Sequence, residues 1–191
     1  LSSSMAGAEA NSVKDPENRY WWRRVPIRME SQLVRDSLLS MAGTLDPTIG
    51  GPSISADQQA TSTRRSLYFF HSNNERNLFL TTFDEALVKD CYRREQSIVP
   101  QQALALSNSQ LALDSSKQIA LRLSEGVTDE SEFVRKAFQV VTGINPSEAE
   151  VIASLSALEL WRELAENNSP DTARANLIWA LINHNDFVTL R

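Results

Sequence analysis

From Pro100 to the end of the chain, residues that start or stop helices recur at helix-length intervals, and this rhythm constrains the fold more than any other feature. Pro100 stands where a first-turn proline belongs, because the N–H it lacks is one that a helix start leaves unbonded anyway. Asn108-Ser109 divides a first helix, running through Leu106, from a second over Gln110–Leu123. Thr128 or Asp129 caps the next, which places Val134, Ala137, Phe138 and Val141 on one face and stops at Gly143. Asn145-Pro146-Ser147-Glu148 is another start, with proline in the first turn and a glutamate three residues after the asparagine. Ser169-Pro170-Asp171 starts the last helix, whose expected inner face carries Ala173, Leu177, Ala180 and Leu181. His184 falls on that face near the helix end, as a packed or carbonyl-bonded ring.

The first half is less regular. Residues 1–18 read as an irregular lead-in rich in Ser, Ala and Asn, with a turn or helix start at Asp15-Pro16-Glu17-Asn18. Tyr20, Trp21 and Trp22 are expected to pin this segment onto the core; a sugar-stacking platform is the alternative. Val34, Leu38, Met41 and Leu45 recur at helical spacing and predict a helix from about Glu30 to Ala42, stopped by Gly43. Asp46–Thr63 reads as loop, and its Gly50-Gly51-Pro52 lacks the ending of a phosphate-binding loop. Ser66-Leu67-Tyr68-Phe69-Phe70 is the best strand candidate, broken by His71–Asn74 and followed by a helical piece around Leu78–Val88. The fold class is therefore mainly α: a single helical domain with an irregular N-terminal half and at most one or two short strands. Residues 1–29 form the lead-in and aromatic anchor, and 30–191 the helical domain.

Charge narrows the functional classes. The net charge is −5, and residues 101–191 hold 7 basic against 12 acidic side chains, whereas 1–100 are balanced at 12 each. An acidic helical half argues against nucleic acid as a partner, since phosphate binding needs clustered positive charge. Arginine outnumbers lysine 15 to 4, and ten of the arginines lie between Arg19 and Arg94. Guanidinium groups suit bidentate contacts and partial burial, so internal ion pairs with Asp36, Asp84, Glu85 and Glu95 are the first expectation. The lone cysteine, Cys91, excludes an intrachain disulfide and is expected to be a buried free thiol. No CxxCH attaches a c-type haem, His71 and His184 lack metal-ligand spacing, and no cofactor is called for. No run is long enough to span a bilayer, and the opening residues do not read as a signal peptide.

Several stretches together resemble the bacterial family catalogued as domain of unknown function 1553, abundant in planctomycetes. They are Asp15-Pro16-Glu17-Asn18-Arg19 with Trp22-Arg23, Glu30 with Arg35-Asp36-Ser37-Leu38-Leu39, and Gly43, Leu45 and Gly50-Gly51-Pro52. Arg64-Arg65-Ser66-Leu67-Tyr68, Phe83-Asp84, Cys91-Tyr92-Arg93-Arg94, Pro100-Gln101-Gln102-Ala103-Leu104 and Leu181–Phe187 continue the resemblance in order. It implies that this chain is the C-terminal portion of a large exported or periplasmic protein. Preceding domains of the same polypeptide, a c-type cytochrome domain among them, would then be its partners. The first functional reading is a non-catalytic structural or docking module. The second is a binding module for an anionic glycan, acidic or sulfated, whose site would draw on Arg64, Arg65, Asp84, Arg93, Arg94, Ser97 and Gln101. A hydrolase using Asp84 with Glu85 or Glu95 ranks third. The two arginine pairs are expected to converge, with at least one arginine paired to Asp84 or Asp36.

Overall fold

The computed structural model describes residues 8–72, 74, 76–86, 100–165 and 169–190. The fold is mainly α. Among the described residues there are eight α-helices: α1 (Ala8–Lys14), α2 (Ser31–Ala42), α3 (Leu78–Thr82), α4 (Pro100–Asn108), α5 (Gln110–Ser124), α6 (Glu130–Thr142), α7 (Glu148–Leu164) and α8 (Pro170–Ile182). The only sheet among them pairs β1 (Ile27–Arg28) antiparallel with β2 (Thr189–Leu190), with Ile27 opposite Leu190 and Arg28 opposite Thr189. Met29 N–H donating to Val188 O (2.8 Å) continues this join between the two ends of the chain.

Local chemistry sets most helix starts. The hydroxyl of Ser109 accepts from Ala112 N–H, the carboxylate of Asp129 from Glu132 N–H, and the hydroxyl of Ser169 from Thr172 N–H, with Pro170 opening α8. α7 begins two residues later than the Asn145 signal suggests. Ser147 and Glu150 form a reciprocal capping box, and Pro146 lies ahead of the cap instead of in the first turn. α2 ends on Gly43 at φ 74°, whose N–H closes Ser40 O (3.0 Å), and Arg122 of α5 donates from Nη1 to Met41 O (2.6 Å) and also to Ser40 O (3.2 Å).

The core forms around α5, which packs against α2, α4, α6 and α8, while α8 also packs against α6 and α7. Val34, Leu38, Ile119, Phe133, Val134, Ala137, Ile178 and Ile182 are fully buried there. Each such large apolar side chain contributes about 1.5–3 kcal/mol by leaving water. A smaller cluster of Ile54, Phe69 and Leu80 ties the 46–70 loop to α3.

Five expectations are corrected. The lead-in, read as irregular, contains the helix α1. The segment 66–70 is not a strand: Ser66–Tyr68 is a 3-10 turn, and Phe69 makes a single bridge to Ile54. Asp36 draws Ser66 N–H and hydroxyl toward α2, and that tertiary pull overrides the aromatic strand propensity. Ala180 of α8 is exposed, the inner face being Ala173, Ala175, Leu177, Ile178, Leu181 and Ile182. His184 follows the helix instead of packing on it; its exposed ring accepts from Asp186 N–H at Nδ1 (3.3 Å). The expected helix around Leu78–Val88 ends at Thr82, residues 87 and 88 lying outside the described residues.

Candidate functional site

Arg35 and Asp36 follow Val34 on α2, so the turn of the helix aims both at the 62–69 loop. Arg35 is only 3% exposed, and its guanidinium donates from Nη1 to Arg64 O (3.0 Å) and Ser66 Oγ (3.2 Å) and from Nη2 to Ser62 O. It also lies over the Phe69 ring, 4.5 Å from the centroid. Burial pulls this guanidinium below its ordinary pKa, while the neighbouring Asp36 carboxylate pushes it back up. Asp36 Oδ1 accepts from Ser66 N–H (2.9 Å) and Ser66 Oγ–H (2.7 Å) and stands 3.5 Å from Arg35 Nη1. Its Oδ2 is 3.7 Å from Arg65 Nε. One buried carboxylate thus organises both a neighbouring cation and the start of the 3-10 turn.

Arg64 turns the other way. Its Nη2 donates to Thr48 O (3.2 Å) and Gly50 O, and its guanidinium stacks on Tyr68 at 4.2 Å. Tyr68 Oη in turn accepts from Gly50 N–H (2.9 Å). Gly51 sits at φ 91° with the Arg64 Nη1 only 3.4 Å from where a Cβ would be, so the glycine turn and the arginine are fitted to each other. Arg64 therefore ties the 46–68 loop to itself, and Arg65 faces Asp36 of α2.

A second polar cluster lies at the end of α3. Asn77 caps this helix through its side-chain oxygen on Leu80 N–H (3.1 Å) and donates to Gln59 Oε1 (3.1 Å). After α3 the backbone passes through Asp84 in the left-handed region, φ 59°, which reverses the chain. Gln102 of α4, 2% exposed, donates from Nε2 to Asp84 Oδ2 (3.2 Å). Glu85 turns to a different partner: His71 Nδ1 is 3.2 Å from its Oε1, and Thr81 Oγ1 donates to Oε2 at 3.4 Å. His71 Nε2 is 3.0 Å from Ala86 O, which can only accept. Among the described residues neither histidine bonds a hydroxyl or thiol, so this cluster offers carboxylates and an imidazole without an assembled nucleophile.

Of the residues that the sequence suggests for a site, Arg65 pairs with Asp36, and Asp84 accepts from Gln102. Arg93, Arg94, Ser97, Glu95 and Cys91 lie outside the described residues, as does the side chain of Gln101, a residue of α4. Gln102 and His71 are not among the candidate site residues that the sequence suggests. Gln102 had a signal, since it precedes the buried Leu106 by one helical turn on the same face of α4. His71 had none, because its partner is reached only through the left-handed turn at Asp84. No group of three or more His, Cys, Asp or Glu able to hold a metal occurs among the described residues, and no helix there is long and apolar enough to cross a membrane.

Residues 2–158 match the family model PSD1, described as a protein of unknown function (DUF1553). No curated protein and no solved structure gives a significant match.

Proposed function

The chain belongs to the PSD1 family of proteins of unknown function (DUF1553), and from that premise we propose that it is a non-catalytic structural or docking module of a larger exported polypeptide. The observation that carries this reading is the direction of the arginines. Arg35, Arg64, Arg65 and Arg122 point their guanidinium groups at the chain's own carbonyls, at Ser66 and at Asp36. An anion site keeps such donors available for ligand, and these guanidinium groups already have acceptors within the chain, the Nε of Arg64 excepted. Hydrolysis through Asp84 is less well supported, since Gln102 and His71 engage the two adjacent carboxylates separately.

What the surface offers to other domains is apolar. Leu78 and Leu104, 83% and 58% exposed, flank a groove of about 430 Å³ between α3 and α4. A second groove of about 400 Å³ runs between α5 and α8, lined by Leu113, Leu121, Ala175 and Trp179. The expected occupants are other domains of the same polypeptide, a c-type cytochrome domain among them. Hydrogen exchange on the isolated chain and on the intact polypeptide tests this. Protection gained over Leu78–Thr82, α5 and α8 in the intact protein supports docking. Identical exchange in the two, with substrate turnover abolished by Asp84→Ala in a folded protein, overturns it.

A further inference from the structure

The segment between α1 and β1 shows a different use of the same residue types. Asp15, 8% exposed, accepts from Arg19 N–H (2.9 Å) and Tyr20 N–H (2.8 Å) through its carboxylate and from Trp22 Nε1 (2.9 Å) through its carbonyl. Asn18 closes the loop from the other side, its Oδ1 accepting from Arg23 N–H (3.1 Å) and its Nδ2 donating to Arg23 O (2.9 Å). The clamp holds Trp21 in the left-handed region at φ 56°, a conformation that costs a bulky side chain about 1–2 kcal/mol. Its effect is to display aromatic rings. Tyr20 is 86% exposed and Trp21 72%, where burial against the core was expected. Only Trp22 is half-buried, with the Arg23 guanidinium 5.1 Å above its ring.

One charge here, that of Arg24, is as available as the rings. Residues 18–29 contain four arginines and no acid. Arg24 is exposed and forms neither hydrogen bond nor ion pair among the described residues, and the buried Nε of Arg23 likewise has no partner among them. Arg19 meets Glu17 in a fully solvated pair, which is weak. Arg35, Arg64 and Arg65, by contrast, are held by carbonyls, stacking or Asp36.

We propose that Tyr20, Trp21, Arg23 and Arg24 form a binding surface for an acidic or sulfated polysaccharide. The exposed rings meet the apolar C–H faces of the sugar units, and the two guanidinium groups take carboxylate or sulfate oxygens in forked hydrogen bonds. Single-stranded nucleic acid also combines stacking with charge. A nucleic-acid strand needs a continuous positive groove along successive phosphates, which the short arginine-bearing segment 18–29 does not supply, whereas spaced carboxylates or sulfates on a saccharide ask for no more than these two guanidinium groups. This inference is independent of the docking reading and places the anion site away from Arg64 and Arg65.

The test uses the whole 191-residue chain, with dextran sulfate, polygalacturonate, neutral dextran and an oligo-dT strand as ligands, read by calorimetry and tryptophan fluorescence. Binding of the two acidic polysaccharides, weakening with salt, and none of neutral dextran, is the expected result. Trp21→Ala lowers affinity about tenfold, the scale of one lost aromatic stack. Arg24→Ala lowers it several-fold and flattens the salt dependence, whereas Arg76→Ala, an equal change of charge elsewhere, leaves it unchanged. Trp21→Asn suits the left-handed backbone and removes the ring, so it reads binding even if the alanine variant folds poorly. The proposal is overturned if neither acidic polysaccharide binds, if Trp21→Asn binds like the wild type, or if oligo-dT binds as tightly as the polysaccharides.

Discussion

Replacing Asp36 with alanine is the perturbation whose consequence the structure defines most closely. The carboxylate is the acceptor for Ser66 N–H at 2.9 Å and for Ser66 Oγ–H at 2.7 Å, in a position where Ser66 is 4% exposed. An orphaned buried donor costs about 1–3 kcal/mol. The same carboxylate is 3.5 Å from the buried Arg35, and removing one partner of a buried ion pair costs about 3–5 kcal/mol. These losses overlap because one group supplies both. Arg35 also keeps the carbonyls of Ser62 and Arg64, which holds the total near the lower bound, about 3 kcal/mol. Arg65, half exposed and 3.7 Å away, adds at most about 1 kcal/mol. Urea denaturation followed by far-UV circular dichroism reads this as a midpoint lowered by about 1–1.5 M, taking a slope of about 2–3 kcal/mol/M for a chain of this size. Asp36→Asn keeps an acceptor for Ser66 and loses about half as much. An Asp36→Ala midpoint equivalent to less than about 1 kcal/mol of destabilisation would refute the reasoning.

Gly43→Ala places a Cβ 3.0 Å from Arg122 Cδ and Nη1 at a backbone φ of 74°, so about 1–2 kcal/mol is lost in the same assay. An Arg122→Met background should absorb part of that loss, because the crowded guanidinium is gone. Glu130 accepts from Arg162 at 2.8 Å and from the largely buried Arg174 at 3.1 Å, so Glu130→Ala lowers stability by about 1–3 kcal/mol while Glu130→Gln loses less. The Ser131 hydroxyl and Glu132 N–H hold the Asp129 carboxyl below its usual range, and the Ser147 hydroxyl and N–H do the same for Glu150. A folded-state value below the unfolded one means that both caps contribute above the ordinary carboxylate range and are lost as pH falls through the depressed values. Amide protection in the first turns of α6 and α7, taken relative to the intrinsic exchange rate at each pH, should therefore fall under acid before the chain unfolds, and Asp129→Asn should remove that pH dependence from α6.

The C-terminal helices were legible because their signals are local. Ser109, Asp129, Gly143 and Ser169 each act within a few residues of themselves. The Asn145 start was misplaced because two capping patterns overlap there, and only coordinates show that Ser147 with Glu150 prevails. The strand expected at 66–70 failed for the opposite reason: Asp36 lies 30 residues away, and no local pattern reveals its hold on Ser66. The pairing of Arg65 with Asp36 was within reach of the rule that charges bordering apolar runs need partners. The outward display of Tyr20 and Trp21 was not, since aromatic residues in a short segment usually pack inward and the clamp by Asp15 depends on the fold of its loop.

Whether Arg64 and Arg65 serve the fold or a ligand is decided most directly by one measurement on the double variant Arg64→Ala/Arg65→Ala: its urea stability, taken together with its affinity for dextran sulfate. Removing Arg64 unstaples Thr48 and Gly50 and unstacks Tyr68, and removing Arg65 takes a counter-charge from Asp36. The predicted result is a loss of about 1–3 kcal/mol in stability with the wild-type affinity retained. Unchanged stability with the affinity lost would contradict the architectural role and return the anion site to these arginines.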